Sequence, residues 1–121
     1  MIQKFSLRDR LRSFGFAGKG VLDFFMEQHN AVIHAFATVI AVLMGFMVGL
    51  SAGEWTAITI VIALVWMAEI FNTALEKLCD FVSPGRNEDI RIIKDLSAAA
   101  VMIVSIAALI TGFIIFIPKI L

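Results

Sequence analysis

Three long apolar runs separated by short polar stretches organise this chain. Ala31 to Leu50 is interrupted only by His34 and Thr38, and Trp55 to about Leu75 carries Glu69 as its one formal charge. Leu96 to Ile117 carries no charge and runs into Pro118. Each run reaches the roughly 20 residues that an α-helix needs to cross a hydrocarbon layer about 30 Å thick. Residues 5 to 26 follow a different pattern. There Leu7, Leu11, Phe14, Val21 and Phe25 recur at helical spacing, while Arg8, Arg12 and Lys19 fall on another face. That arrangement predicts a helix lying in the membrane interface with its bases toward anionic headgroups. Gly15, Gly18 and Gly20 weaken the helix by up to about 1 kcal/mol each relative to alanine. They also permit close approach of backbone to a phosphate or headgroup.

Ser83-Pro84-Gly85-Arg86-Asn87 is a turn by composition, and residues 88 to 95 carry Glu88, Asp89, Arg91, Lys94 and Asp95 into the third run. No internal repeat or low-complexity stretch breaks the chain, so residues 1–121 are expected to form a single membrane-embedded domain. The expected fold class is an all-α membrane protein, an N-terminal amphipathic surface helix followed by three transmembrane helices.

Composition supports this picture. Of 121 residues, 60% are hydrophobic and the mean hydropathy is +0.95, which is outside the range of ordinary soluble domains. The net charge is zero, so no global field recruits nucleic acid. Cys79 is the sole cysteine, which excludes an internal disulfide, and no zinc-site spacing is present. The N-terminus lacks the short apolar region and small-residue cleavage site of a secretory signal, so no removal is expected.

Basic residues set the expected orientation. Lys4, Arg8, Arg10, Arg12 and Lys19 precede the first span, and Lys77, Arg86, Arg91 and Lys94 lie between the second and third. The connection Ser51-Ala52-Gly53-Glu54 has no base. The positive-inside rule then puts the N-terminus and the second connection in the cytoplasm.

Against this background the polar positions of the second span stand out. Glu69, Asn72, Thr73, Glu76 and Asp80 fall on one face at 3.6 residues per turn. Acids inside a bilayer are costly and usually functional. Glu69, among apolar neighbours near the interface, is a candidate general base. Glu76 and Asp80 follow about 10 and 16 Å further along the axis, toward cytosolic water. Such oxygens suit a hard cation like Mg²⁺, which keeps waters and substrate phosphates as its other ligands. Asn72 can orient a phosphate or a carboxylate. The competing reading is that these groups only hydrogen-bond helices together.

Lys94-Asp95 is a second candidate, either as a phosphate contact or as a snorkelling lysine with a capping acid. Two other motifs fail. Gly18-Lys19-Gly20 is similar to the end of a P-loop, but no Ser or Thr follows Lys19 and Ser13 stands where the first glycine belongs. His29 and His34 lack a carboxylate at metal-site spacing. His34 is expected to make a helix-packing hydrogen bond, with a polar substrate headgroup as the alternative.

The run Glu69-x-x-Asn72-Thr73-Ala74-x-Glu76-x-x-x-Asp80, with Lys94-Asp95-x-x-Ala98-Ala99-x-Val101 downstream, resembles the small prokaryotic diacylglycerol kinase family. Its members act on diacylglycerol or undecaprenol. The resemblance covers nearly the whole chain, including the start with Gly15, Lys19 and Gly20. It implies a homotrimer of three-span subunits in the bacterial cytoplasmic (inner) membrane, with active sites shared between neighbours. By motif position Glu69 would take the proton of the lipid hydroxyl, and Glu76 would hold Mg²⁺ that bridges the ATP phosphates. Asn72, Asp80, Gly85, Arg86, Asn87, Lys94 and Asp95 would surround the nucleotide. Arg12 and Lys19 would lie near the phosphates and headgroup. A second metal-binding glutamate belongs six residues before the position of His34, where this chain has Gln28 and places Glu27 one residue earlier. Either the register slips by one and Glu27 is the second metal ligand, or the metal shell is completed differently. His34 and the pair Glu54-Trp55 lean toward the undecaprenol branch.

The expected function is ATP- and Mg²⁺-dependent phosphorylation of a membrane lipid alcohol. Its rival is a small proton-coupled transporter, which would need Glu69 but tolerate loss of Lys94 and Asp95. A non-catalytic scaffold would tolerate loss of Glu69 as well.

Overall fold

A computed structural model describes residues 2–121. Four helices account for nearly all of them: α1 (Leu7–Glu27), α2 (His29–Val48), α3 (Ala52–Val82) and α4 (Glu88–Ile120). Helices α2, α3 and α4 are each long and apolar enough to cross a membrane.

Local chemistry explains where each helix starts and stops. Ser6 caps α1, its Oγ accepting from the Asp9 N–H at 3.3 Å. The helix continues unbroken through Gly15, Gly18 and Gly20 and ends where Gln28 turns extended. Helix α2 stops at Gly49, whose φ of +73° is left-handed, a conformation that glycine adopts without steric penalty. Ser51 and Glu54 then form a reciprocal capping box at the start of α3. The Ser51 backbone N–H, aided by the Lys119 ammonium 3.1 Å away, holds the Glu54 carboxyl below the usual carboxylate range. That contact ties the start of α3 to the end of α4, one residue beyond Pro118, which α4 accommodates within its last turn.

The principal departure from expectation lies at the opposite end. Helix α3 has 31 residues and α4 has 33, lengths of about 46 and 50 Å at 1.5 Å per residue. Both therefore outrun the hydrocarbon layer. Residues 88–95, expected as part of a polar connection, are helical as well, so that with residues 76–82, where the stripe to Asp80 already continued α3, they extend the hairpin as a helical stub, and only 83–87 turn. Asn87 starts α4, its Oδ1 accepting from the Asp89 and Ile90 N–H groups. Asp95 is thus two turns inside the helix and caps nothing.

Helices α3 and α4 pack as an antiparallel hairpin, with α2 and α1 laid against it. Ile58, Ile115 and Phe116 form a small buried cluster near the short α2–α3 turn. There Gly45 lets Trp55 pack against α2, since a Cβ on it would stand 2.6 Å from Trp55 Cη2. Elsewhere large apolar side chains face outward, among them Phe36, Phe46, Phe71 and Phe113. So much exposed apolar surface requires lipid or another protein chain around it.

Candidate active site

The polar stripe of α3 grades from buried to exposed. Glu69 and Thr73 are both 7% exposed, Asn72 and Glu76 are half-buried, and Asp80 is exposed on the helical stub. Each residue meets a different neighbour.

Glu69 faces α2. His34 Nε2 lies 2.8 Å from Glu69 Oε1; towards an ionised carboxylate, which can only accept, the imidazole acts as the donor. Thr38 fixes this turn of α2 by donating to the His34 carbonyl at 2.7 Å, and Trp66 Nε1 donates to the Thr38 hydroxyl at 3.0 Å. The end of α1 completes the packing, with the Phe24 and Phe25 rings 6.1 and 5.4 Å from that of Trp66. Three helices thus hold the Glu69 neighbourhood in place.

One turn further on, Asn72 Nδ2 donates to Glu76 Oε1 at 3.2 Å. The other end of that amide is unusual, because Asn72 Oδ1 is buried without a hydrogen-bond partner among the described residues. Such an orphan costs about 1–3 kcal/mol, so it invites a ligand. At the stub, Lys94 Nζ reaches Asp80 Oδ1 at 2.5 Å, joining two residues that are fourteen apart in sequence. The Asp80 carboxylate holds the Lys94 ammonium above the usual lysine range. Arg91 forks between Glu88 and Asp95. Its guanidinium holds the Glu88 carboxyl below the usual range.

Between α1 and α3 lies a cavity of about 500 Å³ walled by Gly20, Phe24, Glu27, Ile70, Thr73 and Lys77. Glu27 pairs there with Lys77, one residue beyond Glu76 in sequence. Among the described residues no group of three or more His, Cys, Asp or Glu side chains converges as a metal site. Arg12, Lys19 and Arg86 are exposed and make no ion pair among the described residues. Gly85 sits in the turn with open space around it. The fold therefore joins Asn72 to Glu76 and Asp80 to Lys94, and leaves Arg12, Lys19 and the turn residues apart from them.

Charge pairing separates the acids by role. Lys94 pairs with Asp80, Lys77 pairs with Glu27, and Arg91 is shared between Glu88 and Asp95. Among the described residues, no Lys or Arg pairs with Glu69 or Glu76. Glu69 has a neutral-capable partner in His34, and Glu76 has an amide with an unused oxygen beside it. An all-oxygen set of Glu76 and Asn72 Oδ1 fits a hard cation such as Mg²⁺, which needs few protein ligands. Glu27 fits less directly, since it would have to release Lys77.

The helix-packing hydrogen bond expected of His34 is present, with Glu69 as the partner the sequence did not name. That pairing had a signal in retrospect, as both residues are polar and stand at similar depth from the same end of their spans. The Glu27–Lys77 pair had none, because it depends on how α1 is laid on α3.

An all-helical protein with three potential spans and a graded row of acids on one of them defines a membrane-embedded protein with polar chemistry at one end of its hairpin. The sequence model of prokaryotic diacylglycerol kinase matches residues 15–116, and the chain belongs to that family. It is a lipid kinase. It is 32% identical over 108 residues to the undecaprenol kinase of Bacillus subtilis (strain 168), covering 89% of this chain and 88% of that protein. It is 35% identical over 112 residues to a diacylglycerol kinase of Synechocystis sp. (strain ATCC 27184 / PCC 6803 / Kazusa), covering 92% of this chain but only 64% of the relative.

Proposed function

We propose that this protein transfers the γ-phosphoryl group of ATP, with Mg²⁺, to the hydroxyl of a membrane lipid alcohol at the cytoplasmic face of the bacterial inner membrane. Undecaprenol is the favoured acceptor and diacylglycerol the alternative. The observation that carries this reading is the buried Glu69, which no Lys or Arg neutralises among the described residues, on the same helix face as Glu76 and Asp80. The preference for undecaprenol is supported by the relative of that name, which this chain matches along 88% of its length.

Glu69 takes the proton of the lipid hydroxyl through its second carboxylate oxygen. As the lipid oxygen bonds to the γ-phosphorus, the bond from phosphorus to the bridging oxygen breaks and ADP leaves. A membrane-buried carboxylate can do this because its substrate is itself in the membrane and reaches it from the lipid side. Glu76 and Asn72 Oδ1 would hold Mg²⁺, and Glu27 would join them on leaving Lys77. Bound there, the cation would spread the negative charge that builds on the phosphate oxygens during transfer. Asp80, Lys94 and Asp95, with Gly85, Arg86 and Asn87 at the turn, lie beyond it on the stub, where a nucleotide in water can reach them. Lys94 would exchange its Asp80 partner for a phosphate. Arg12 and Lys19 on α1 would approach the same phosphates and the lipid headgroup.

The exposed apolar faces of α2, α3 and α4 fit burial against lipid and against further copies of the chain, a homotrimer in this reading, with α1 in the interface. The positive-inside bias supports a cytoplasmic stub. Family membership does not favour a transporter. The test is transfer of label from γ-labelled ATP to undecaprenol and, separately, to diacylglycerol by the purified protein. A labelled lipid is expected with undecaprenol, and label in neither lipid would overturn the proposal.

A further inference from the structure

The mechanism above uses Glu69 but gives no part to the residue bonded to it. His34 Nε2 stands 2.8 Å from one carboxylate oxygen of Glu69, and its own placement is built rather than incidental. Its backbone carbonyl accepts from Thr38, which is itself held by the indole of Trp66, and the Trp66 ring lies 6.4 Å from the imidazole. Side-chain relative exposure is 22% for His34 and 9% for Glu69.

We infer that His34 is a positioning residue for phosphoryl transfer: by donating Nε2–H to Glu69 Oε1 it aims Oε2 at the lipid hydroxyl. The inference rests on Glu69 being the base. A glutamate has three side-chain torsions, and among the described residues His34 is the one hydrogen-bond partner of the Glu69 carboxylate. One fixed donor on one oxygen removes that freedom and leaves the second oxygen to receive the proton. The bond also survives the reaction, since the carboxyl can carry the new proton on Oε2 while Oε1 continues to accept from His34. A histidine donor suits this better than a lysine or arginine would. A permanent cation at that distance would hold Glu69 in its ionised form and make it a poorer base. Imidazole supplies a directed N–H without a permanent charge.

A residue that serves only to tie α2 to α3 would affect folding, whereas a positioning residue affects turnover through Glu69. The experiment measures kcat and the KM for ATP with undecaprenol, using the full-length protein in lipid vesicles. His34→Leu and His34→Met fill the volume without donating, and His34→Gln places an amide N–H where Nε2 was. The expected result is a kcat about tenfold to a hundredfold lower for the Leu and Met variants, on the scale of other small misplacements of reacting groups, with the KM for ATP unchanged. His34→Gln should restore most of the loss. In a Glu69→Gln background, His34→Leu should then cost less than about twofold, because the group it acts through is gone.

Wild-type kcat in the Leu and Met variants would overturn the inference. So would equal losses in the Leu and Gln variants, or the same fold loss with and without Glu69. If His34→Leu does not fold, the Met and Gln variants carry the comparison. Full turnover in Glu69→Gln alone would instead remove the base reading, which distinguishes that failure from failure of the His34 role.

Discussion

Asn72→Leu separates stability from function at the α3 stripe. In the wild-type protein Asn72 Oδ1 is buried without a partner among the described residues, while Nδ2 donates to Glu76 at 3.2 Å. The orphaned oxygen costs about 1–3 kcal/mol, and the single donated bond returns about 0.5–1.5 kcal/mol. Leucine has nearly the same volume, removes both terms and adds apolar contact. The substitution should therefore leave stability unchanged or raise it by up to about 2 kcal/mol. Activity should move the other way, falling at least about a hundredfold, because an oxygen donor and the group that orients Glu76 are lost together. The assay is denaturant unfolding in detergent, with and without Mg²⁺, beside turnover of labelled ATP. Mg²⁺ should stabilise the wild type more than the variant, since a ligand that binds only the folded state adds to its stability. A variant destabilised by more than about 1 kcal/mol, or one that keeps wild-type turnover, would refute the reading of Asn72 as a strained functional group.

Other outcomes follow from the packing and the charge pairs. Gly45→Ala should destabilise the hairpin by about 1–3 kcal/mol through overpacking, as its Cβ would meet Trp55 Cη2 at 2.6 Å. In a Trp55→Phe background, which lacks that atom, the penalty should shrink to the part set by Leu50 Cδ1, 2.9 Å from the same Cβ, and an unchanged penalty would show that the Trp55 contact is not the cause. Lys94 is raised above its reference value of 10.5 by Asp80. Its contribution is complete below that value and is lost as pH rises through the higher folded one. Thermal unfolding should thus show an alkaline decline that Asp80→Asn flattens, and identical profiles would count against the pair. Glu27→Gln should leave the fold intact, as its pair with Lys77 is half-exposed and surface pairs contribute little. If Glu27 joins the metal shell, the same change should raise the Mg²⁺ concentration needed for half-maximal turnover, and an unchanged Mg²⁺ dependence would remove it from that shell.

Much of this architecture is legible in the residues. The three apolar runs mark the spans because lipid tolerates no unpaired backbone, and helices are the way a single short run satisfies it. The α3 stripe is legible because 3.6-residue periodicity needs only one helix to be right. Helix ends beyond the apolar edges were not, since hydropathy reports where the membrane stops and Asn87, by its cap, decides where α4 begins. Pairings between helices were harder still. Asp80 and Lys94 are joined by a hairpin whose register only the turn at 83–87 sets, and Glu27 meets Lys77 only through the docking of α1. His34 illustrates the intermediate case: its depth matches that of Glu69, but its pairing with that carboxylate depends on how α2 packs against α3, which only the folded chain sets.

The measurement that bears most directly on the account is label transfer from γ-labelled ATP into undecaprenol by the wild-type protein and by Glu69→Gln, with nucleotide binding followed in both. Glutamine keeps an oxygen for His34 but cannot take a proton. Labelled lipid should form with the wild type and fall by about 10²–10⁴-fold in the variant, the range for loss of a general base, while ATP binding persists. No labelled lipid from the wild type with undecaprenol or diacylglycerol, or undiminished transfer by Glu69→Gln, would contradict it.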